Sequence, residues 1–211
     1  MTQSPRILPA EACLPGRDER IAVPGQHALL GTSYLPPFPP ATAQILFGMG
    51  CFWGAERLFW RLDGVHSTAA GYAGGITKNP SYAEVCSGRT NHAEVALVIY
   101  APNQIALQTL LEVFWGGHDP TQGMRQGNDR GTQYRSAIYC PPTALAEVER
   151  SRAQYQQQLT VAGHGPITTE IKTDQPLYYA EAHHQQYLHH NPNGYCGLGG
   201  CGVPYQAPAT S

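Results

Sequence analysis

The chain has 211 residues, a formal net charge of −2 and only 13% charged residues. That length is ample for a domain with a hydrophobic core, and the sparse charge offers no basic stripe to grip a nucleic acid. No apolar run approaches the roughly 20 residues of a membrane span, and the first residues lack the apolar segment of a secretory signal. We therefore expect a soluble, cytoplasmic protein.

The predicted elements alternate between strands and helices. Residues 1–42 are rich in proline and glycine, which favours an arm that wraps the domain or is partly disordered. Apolar patterning predicts strands at AQILFGMG (43–50), HAEVALVIYAP (92–102), QYRSAIYC (133–140) and ITTEIKT (167–173). Helical spacing predicts helices at FWGAERLFWRL (52–62), IALQTLLEVFWGGH (105–118), ALAEVERSRAQYQQQL (144–159) and AEAHHQQYL (180–188). The alternation indicates a compact α/β or α+β domain.

Cys51 lies between Gly50 and the start of a predicted helix. The thiolate is the nucleophilic form of cysteine, and the free N–H groups at a helix N-terminus lower a cysteine pKa. The position predicts a reactive, exposed sulfur, and the alternative is a small buried hydrophobic residue. Phe52 and Trp53 next to it are either core residues or the walls of a pocket for a small apolar group such as a methyl.

Glu94 lies on an apolar face of the strand predicted at 92–102. An unpaired carboxyl group there is desolvated, so its pKa rises and it suits general acid catalysis. The alternative is a glutamate near the strand start that reaches water or an arginine. Tyr82, Asp129 and Tyr134 are expected in loops or at strand starts. The tyrosines are either packing residues or donors to a developing oxyanion.

The tail contains GYCGLGGCG (194–202), where glycine gives Cys196 and Cys201 the freedom to swing toward a distant sulfur. That suits recycling cysteines, which resolve an oxidised thiol. Metal binding is the alternative, because histidines lie just upstream at positions 183, 184, 189 and 190. We interpret the remaining cysteines as non-catalytic: Cys13, Cys86 and Cys140.

The ordered set of motifs from about residue 45 to about residue 200 resembles peptide methionine sulfoxide reductase A. The motifs are GCFWGAERLFW, GYAGG, YAEVCSG, NHAEV, FWGGHDPTQGMRQGNDRGTQYRSAIY, YYAEAHHQQYL and NPNGYCG. The resemblance implies an α+β fold of the α/β-roll type, a two-layer arrangement of a mixed sheet with helices and a coiled C-terminal segment. The expected organisation is an arm at 1–42, a catalytic domain at 43–190 and a mobile glycine-rich segment with the recycling cysteines at 191–211.

The resemblance also implies an activity and site roles. The enzyme would reduce methionine S-sulfoxide, free or in proteins, and so repair oxidative damage. Cys51 matches the nucleophile that becomes a sulfenic acid, and Cys196 matches the recycling cysteine that closes a disulfide with it. The other matches are Glu94 as proton donor, Phe52 and Trp53 around the sulfoxide methyl, and Tyr82, Asp129 and Tyr134 around the sulfoxide oxygen. The family's reductant is thioredoxin, and we expect a monomer without cofactor or metal.

Cys201 departs from the family pattern. Members with a second recycling cysteine usually carry it beyond the glycine stretch, whereas Cys201 lies inside it. It either relays the disulfide outward from Cys196 or is a bystander. Two other classes of function stay open on the residues alone. One is a cysteine hydrolase that uses His92 or His184 as base, and the other is a metal-binding module in the C-terminal third.

Overall fold

The computed structural model describes residues 5–207, and its centre is a six-stranded mixed sheet. The strands are β1 Ala43–Met49, β2 Val65–Ala73, β3 Ala93–Tyr100, β4 Arg125–Gln126, β5 Asp129–Arg130, β6 Ser136–Cys140, β7 Glu170–Thr173 and β8 Tyr178–Tyr179. The sheet has the order β7-β6-β1-β3-β2-β8, and β4 and β5 form a separate pair. Strands β6 and β7 are parallel, and the other neighbours in the sheet are antiparallel.

Helices cover one face of this sheet. They are α1 Phe52–Phe59, α2 Tyr82–Cys86, α3 Leu107–Gly117, α4 Leu145–Val161 and α5 Tyr187–His190. The main core lies between the sheet and α1, α3 and α4, where the ring of Phe47 stacks on Phe59 at 4.7 Å and on Phe114 at 5.2 Å. In the described part of the chain, no helix combines the length and the apolar character that a membrane crossing requires.

The described part of the N-terminal arm covers the opposite face of the sheet. Tyr34 is fully buried there, with Val23, Leu35 and Phe38 packed around the same apolar cluster. The Tyr179 hydroxyl donates a hydrogen bond to the Tyr34 carbonyl at 2.8 Å, which ties the arm to the edge strand β8. Burial of both sheet faces explains why β3 is apolar on both sides.

The predicted α+β fold with a mixed sheet and helices is confirmed, but β2, β4, β5 and β8 have no counterpart among the predicted strands, and two local expectations are wrong. β2 was not predicted, although it pairs with β3 along its whole length. Tyr82 begins the short helix α2 rather than lying in a loop or at a strand start, because Ser81 caps the N-terminus of α2 in a capping box with Glu84. The helix predicted at 180–188 is a 3-10 turn, Ala182–His184, followed by α5, and Gln186 separates them with φ +46°.

The tail from residue 191 to residue 207 has no helix or strand, as predicted. It nevertheless lies against the domain, with Leu198, Val203 and Tyr205 packed on the main core. Gln206 exchanges hydrogen bonds with Gln158 on α4. The mobility of the tail and the division into three segments stay predictions, and residues 1–4 and 208–211 of those segments lie outside the described residues.

Candidate active site

Cys51 occupies the N-cap position of α1, directly after β1 and Gly50. Gly50 adopts φ +97°, a left-handed conformation that glycine allows without strain, and this turn brings the sulfur to the helix start. The expectation of an exposed sulfur is wrong, because Cys51 is only 7% exposed.

The expectation of a lowered thiol pKa is also wrong for this conformation. The backbone N–H groups of Trp53 and Gly54 lower the pKa of Cys51, as expected for a helix N-terminus. Burial and the neighbouring Glu94 outweigh them and raise the pKa of Cys51 above that of an ordinary thiol. In this conformation Cys51 therefore favours its protonated thiol form.

Glu94 lies beneath the start of the same helix. Its side chain is 1% exposed, and its Oε2 accepts a hydrogen bond from the Phe52 backbone N–H at 3.1 Å. Its Oε1 is buried and has no hydrogen-bond partner among the described residues. Burial raises the pKa of Glu94 to about 8, so the group carries a proton at neutral pH. The alternative of a glutamate that reaches water or an arginine is therefore excluded here.

Phe52 and Trp53 both belong to an aromatic cluster around α1. Phe52 is 1% exposed and lies in a small core with Tyr72, whereas Trp53 is only partly buried at the edge of that core. The indole of Trp53 stacks on the Tyr187 ring at 3.8 Å and donates its N–H to His184 Nδ1 at 3.1 Å. Phe52 is thus a core residue of this cluster, and the indole of Trp53 lies between the cluster and solvent.

Tyr82, Asp129 and Tyr134 come to the site from three different elements. Tyr82 begins α2, Asp129 lies in β5, and Tyr134 ends a 3-10 turn, Thr132–Tyr134. Burial raises the pKa of both tyrosines, and the charge of Glu94 adds to it, so each hydroxyl keeps its proton as a hydrogen-bond donor. Burial is the main cause of the raised pKa of Cys51 and of Glu94, and the charge of Asp129 adds to both.

The two tail cysteines lie against different helices. Cys196 touches α1, since a Cβ added to Gly54 would lie 2.9 Å from the Cys196 sulfur. Cys201 lies against α4, where its sulfur is 3.3 Å from the Tyr155 hydroxyl. Only Cys196 is therefore beside the helical turn that begins at Cys51.

The two other functions that the sequence left open are a cysteine hydrolase and a metal-binding module. The geometry of residues 5–207 gives both of them little support. His92 Nε2 is 2.7 Å from the Thr77 carbonyl, and its Nδ1 accepts from the Gly75 N–H, so neither nitrogen serves Cys51. His184 Nδ1 accepts the indole N–H of Trp53, and its Nε2, which has no hydrogen-bond partner among the described residues, lies 3.9 Å from Glu181 Oε2. No group of three or more histidine, cysteine or acidic side chains in this part of the chain is arranged to hold a metal ion.

Several residues of the site were not identified from the sequence. Glu181 accepts from the Tyr72 hydroxyl at 2.9 Å and from the Tyr82 N–H at 2.7 Å, and so fixes the start of α2. The Tyr195 hydroxyl donates to Asp129 Oδ2 at 3.1 Å, beside Cys196. The only sequence signal for Tyr187, which follows Gln186, is its place in YYAEAHHQQYL, and His184 was considered only as a base or a metal ligand.

Comparisons with known proteins show which family the chain resembles. The family model of peptide methionine sulfoxide reductase matches residues 43–200. The chain is 60% identical to peptide methionine sulfoxide reductase MsrA of Azotobacter vinelandii, covering 92% of this chain and 90% of the relative. It is 56% identical to the mitochondrial peptide methionine sulfoxide reductase of Rattus norvegicus, covering 95% and 86% of the two chains.

Solved structures give the same result. Methionine sulfoxide reductase A of Corynebacterium diphtheriae superposes with a TM-score of 0.84 at 46% identity, covering 95% of this chain and 100% of that chain. Mxr1 of Saccharomyces cerevisiae in reduced form gives a TM-score of 0.70 at 34% identity, covering 79% and 95%. Mxr1 has also been solved in complex with Trx2. The chain belongs to the peptide methionine sulfoxide reductase family, and it is an oxidoreductase of the MsrA type.

Proposed function

We propose that Cys51 attacks the sulfur of methionine S-sulfoxide while Glu94 protonates the departing oxygen. The observation that carries this assignment is the buried carboxyl group of Glu94. One of its oxygens accepts from the Phe52 N–H, and the other has no hydrogen-bond partner within residues 5–207 and lies beneath the helix start that carries the thiol. An acid that stays protonated at pH 7 in a site next to a thiol fits a reaction in which an oxygen must leave.

The reductive step balances without a cofactor. Attack by Cys51 first forms a bond between its sulfur and the substrate sulfur. That bond breaks as the protonated oxygen passes from the substrate sulfur to the Cys51 sulfur, so the thiol and the sulfoxide become the Cys51 sulfenic acid and methionine. Glu94 lends a proton to the oxygen and regains one as the thiol proton is released. We assign Tyr82 and Tyr134 as hydrogen-bond donors to that oxygen, and Asp129 as the group that orients the tail through Tyr195. Phe52 and Trp53 would hold the substrate methyl.

The recycling step uses Cys196. Its thiol condenses with the sulfenic acid to form a Cys51–Cys196 disulfide and water. An external dithiol then reduces that disulfide and is itself oxidised. We propose thioredoxin for this role, which the resemblance implies and which the complex of Mxr1 with Trx2 supports. Cytoplasmic location and a monomeric state stay predictions, which cell fractionation and analytical ultracentrifugation can check.

The proposed activity is tested with the two separated epimers of methionine sulfoxide. We expect turnover of the S epimer with thioredoxin or with dithiothreitol, and negligible turnover of the R epimer, because one pocket orients methyl and oxygen around the sulfur. Methionine is quantified by chromatography. Equal rates for both epimers would contradict the assigned pocket, and no turnover of either would contradict the function.

The role of Cys201 is tested by Cys201→Ser. If Cys201 relays the disulfide, the Cys51–Cys196 bond should form normally, but thioredoxin should reduce it more slowly, on the order of tenfold, because a bulky protein reaches an accessible sulfur best. The serine keeps a hydroxyl for Tyr155, so the tail should stay in place. Steady-state rates with thioredoxin and with dithiothreitol are compared, and dithiothreitol should hide the defect.

The control for this experiment is Cys196→Ser. Here one equivalent of methionine should appear, after which turnover with thioredoxin should fall sharply, since no thiol captures the sulfenic acid. Thioredoxin-dependent rates that are the same in Cys201→Ser and in the parent enzyme would make Cys201 a bystander.

A further inference from the structure

A second buried carboxyl group lies on α1, and the proposed reaction does not use it. Glu56 is fully buried and accepts three hydrogen bonds. They come from the Thr68 hydroxyl at 3.0 Å, the Gln186 backbone N–H at 2.9 Å and the Gln186 side-chain amide at 2.7 Å. Because a buried acid is costly without partners, this complete set of donors indicates a group with a task in the structure.

Gln186 is the main partner of Glu56, and its backbone is strained. It adopts φ +46°, a left-handed conformation that is unfavourable for a residue with a Cβ. Such a conformation persists only where the surroundings impose it, and here the carboxyl group of Glu56 binds both the backbone and the side chain of Gln186.

The strained residue stands between the two contacts of Trp53. His184, two residues before it, accepts the indole N–H at 3.1 Å, and Tyr187, directly after it, stacks on the indole at 3.8 Å. A change in the Gln186 conformation would therefore move both contacts at once. Trp53 is the wall of the proposed methyl pocket, so its orientation matters for substrate binding.

The N-terminal arm forms hydrogen bonds with the same network. His27 Nε2 is 3.0 Å from the Thr68 hydroxyl, and the Gln186 side-chain oxygen accepts from the Ala28 N–H at 3.2 Å. Since Thr68 gives its single proton to Glu56, His27 must donate through Nε2. Its Nδ1 then accepts from the Leu29 and Leu30 N–H groups, which is consistent with that tautomer.

We propose that Glu56 is a positioning residue for substrate binding, which holds Gln186 in its left-handed conformation so that His184 and Tyr187 fix the indole of Trp53. The inference rests on the proposed function only for the statement that Trp53 lines the substrate pocket. The network itself lies on the side of α1 that faces β2 and the arm.

The first test is Glu56→Gln, measured by steady-state kinetics with methionine S-sulfoxide. The new amide turns an N–H group toward donors, so at least one hydrogen bond to Gln186 or Thr68 is lost. We expect KM to rise on the order of tenfold, the effect of one lost charged hydrogen bond, with kcat changed much less. Thr68→Val, which removes one donor of the three, should raise KM less than Glu56→Gln does.

Two further variants separate positioning from simple loss of stability. The exchange Glu56→Gln with Gln186→Glu restores a carboxyl–amide pair with the roles reversed, and it should recover a large part of the lost affinity. Leu159→Ala truncates a fully buried core residue on α4, far from this network. It should lower the melting temperature without raising KM.

An independent measurement follows the indole N–H signals by ¹H–¹⁵N NMR. The chain has three tryptophans, and the Trp53 signal can be assigned with Trp53→Phe. In Glu56→Gln the Trp53 signal should shift or broaden, whereas the Trp115 signal, from an N–H bonded to Ser151, should stay in place. An unchanged KM and an unchanged Trp53 signal, with only a lower melting temperature, would overturn the inference. Absence of sulfoxide reduction in the parent enzyme would contradict the proposed function, and the NMR signals would still test the positioning.

Discussion

Cys51→Ser should abolish sulfoxide reduction with either dithiothreitol or thioredoxin as reductant. A hydroxyl group is a far weaker nucleophile toward sulfur than a thiol, and it cannot form the sulfenic acid on which recycling depends. Serine is only slightly smaller than cysteine, and its hydroxyl can accept from the Trp53 and Gly54 N–H groups as the sulfur does, so the fold should persist. Single-turnover formation of methionine is the measurement.

Cys13→Ser provides a matched control, because it makes the same substitution in the arm, away from the site. Cys13→Ser should leave the rate of methionine formation unchanged, and the circular dichroism spectra of both variants should match that of the parent enzyme. Methionine formation in Cys51→Ser at a rate comparable to that of the parent enzyme would remove Cys51 from its proposed role.

Glu94→Gln should slow the reductive step by about 10²–10⁴, the usual contribution of a general acid. The amide preserves the shape of the side chain, and its oxygen can still accept from the Phe52 N–H, but it has no acidic proton to give. Substrate affinity should change little. Rapid-quench measurement of methionine under single-turnover conditions separates the chemical step from binding, and a loss of less than about tenfold would assign Glu94 a structural role.

The same assignment predicts the pH dependence of the parent enzyme. Because burial raises the pKa of Glu94 to about 8, the proton-bearing form predominates below that pH and declines above it. The single-turnover rate should therefore fall as the pH rises through about 8. The Glu94→Gln variant should lack this decline, and Glu149→Gln, at an exposed ion pair on α4, should retain it.

The elements with strong local signals were predictable, and those that depend on distant partners were not. β1, β3 and α3 have apolar runs bounded by glycine or proline, and they form where expected. β2 is built from the sequence VHSTAAGYA, whose small residues give no apolar alternation. It is a strand because β3 and β8 supply hydrogen bonds on both of its sides.

The site shows the same division. Cys51 and Glu94 were identified because an N-cap cysteine and a carboxyl group on an apolar strand face are local patterns. The thiol pKa was predicted in the wrong direction, because the helix N-terminus is visible in the sequence and the burial of the sulfur is not. The helix expected at 180–188 is interrupted at Gln186, whose backbone N–H donates to the buried Glu56. The two residues are 130 positions apart, so neighbouring residues in the sequence do not reveal this contact.

Gly54 carries a consequence for how the enzyme completes its cycle. A methyl group at this position would stand 2.9 Å from the Cys196 sulfur and 2.8 Å from Leu198 Cγ, so both side chains would have to shift for the tail to lie on the helix. Glycine inside a helix costs about 1 kcal/mol relative to alanine. α1 thus gives up intrinsic stability and leaves space one turn beyond Cys51. In the proposed cycle, this absent side chain lets the Cys196 sulfur lie beside the helical turn that begins at Cys51.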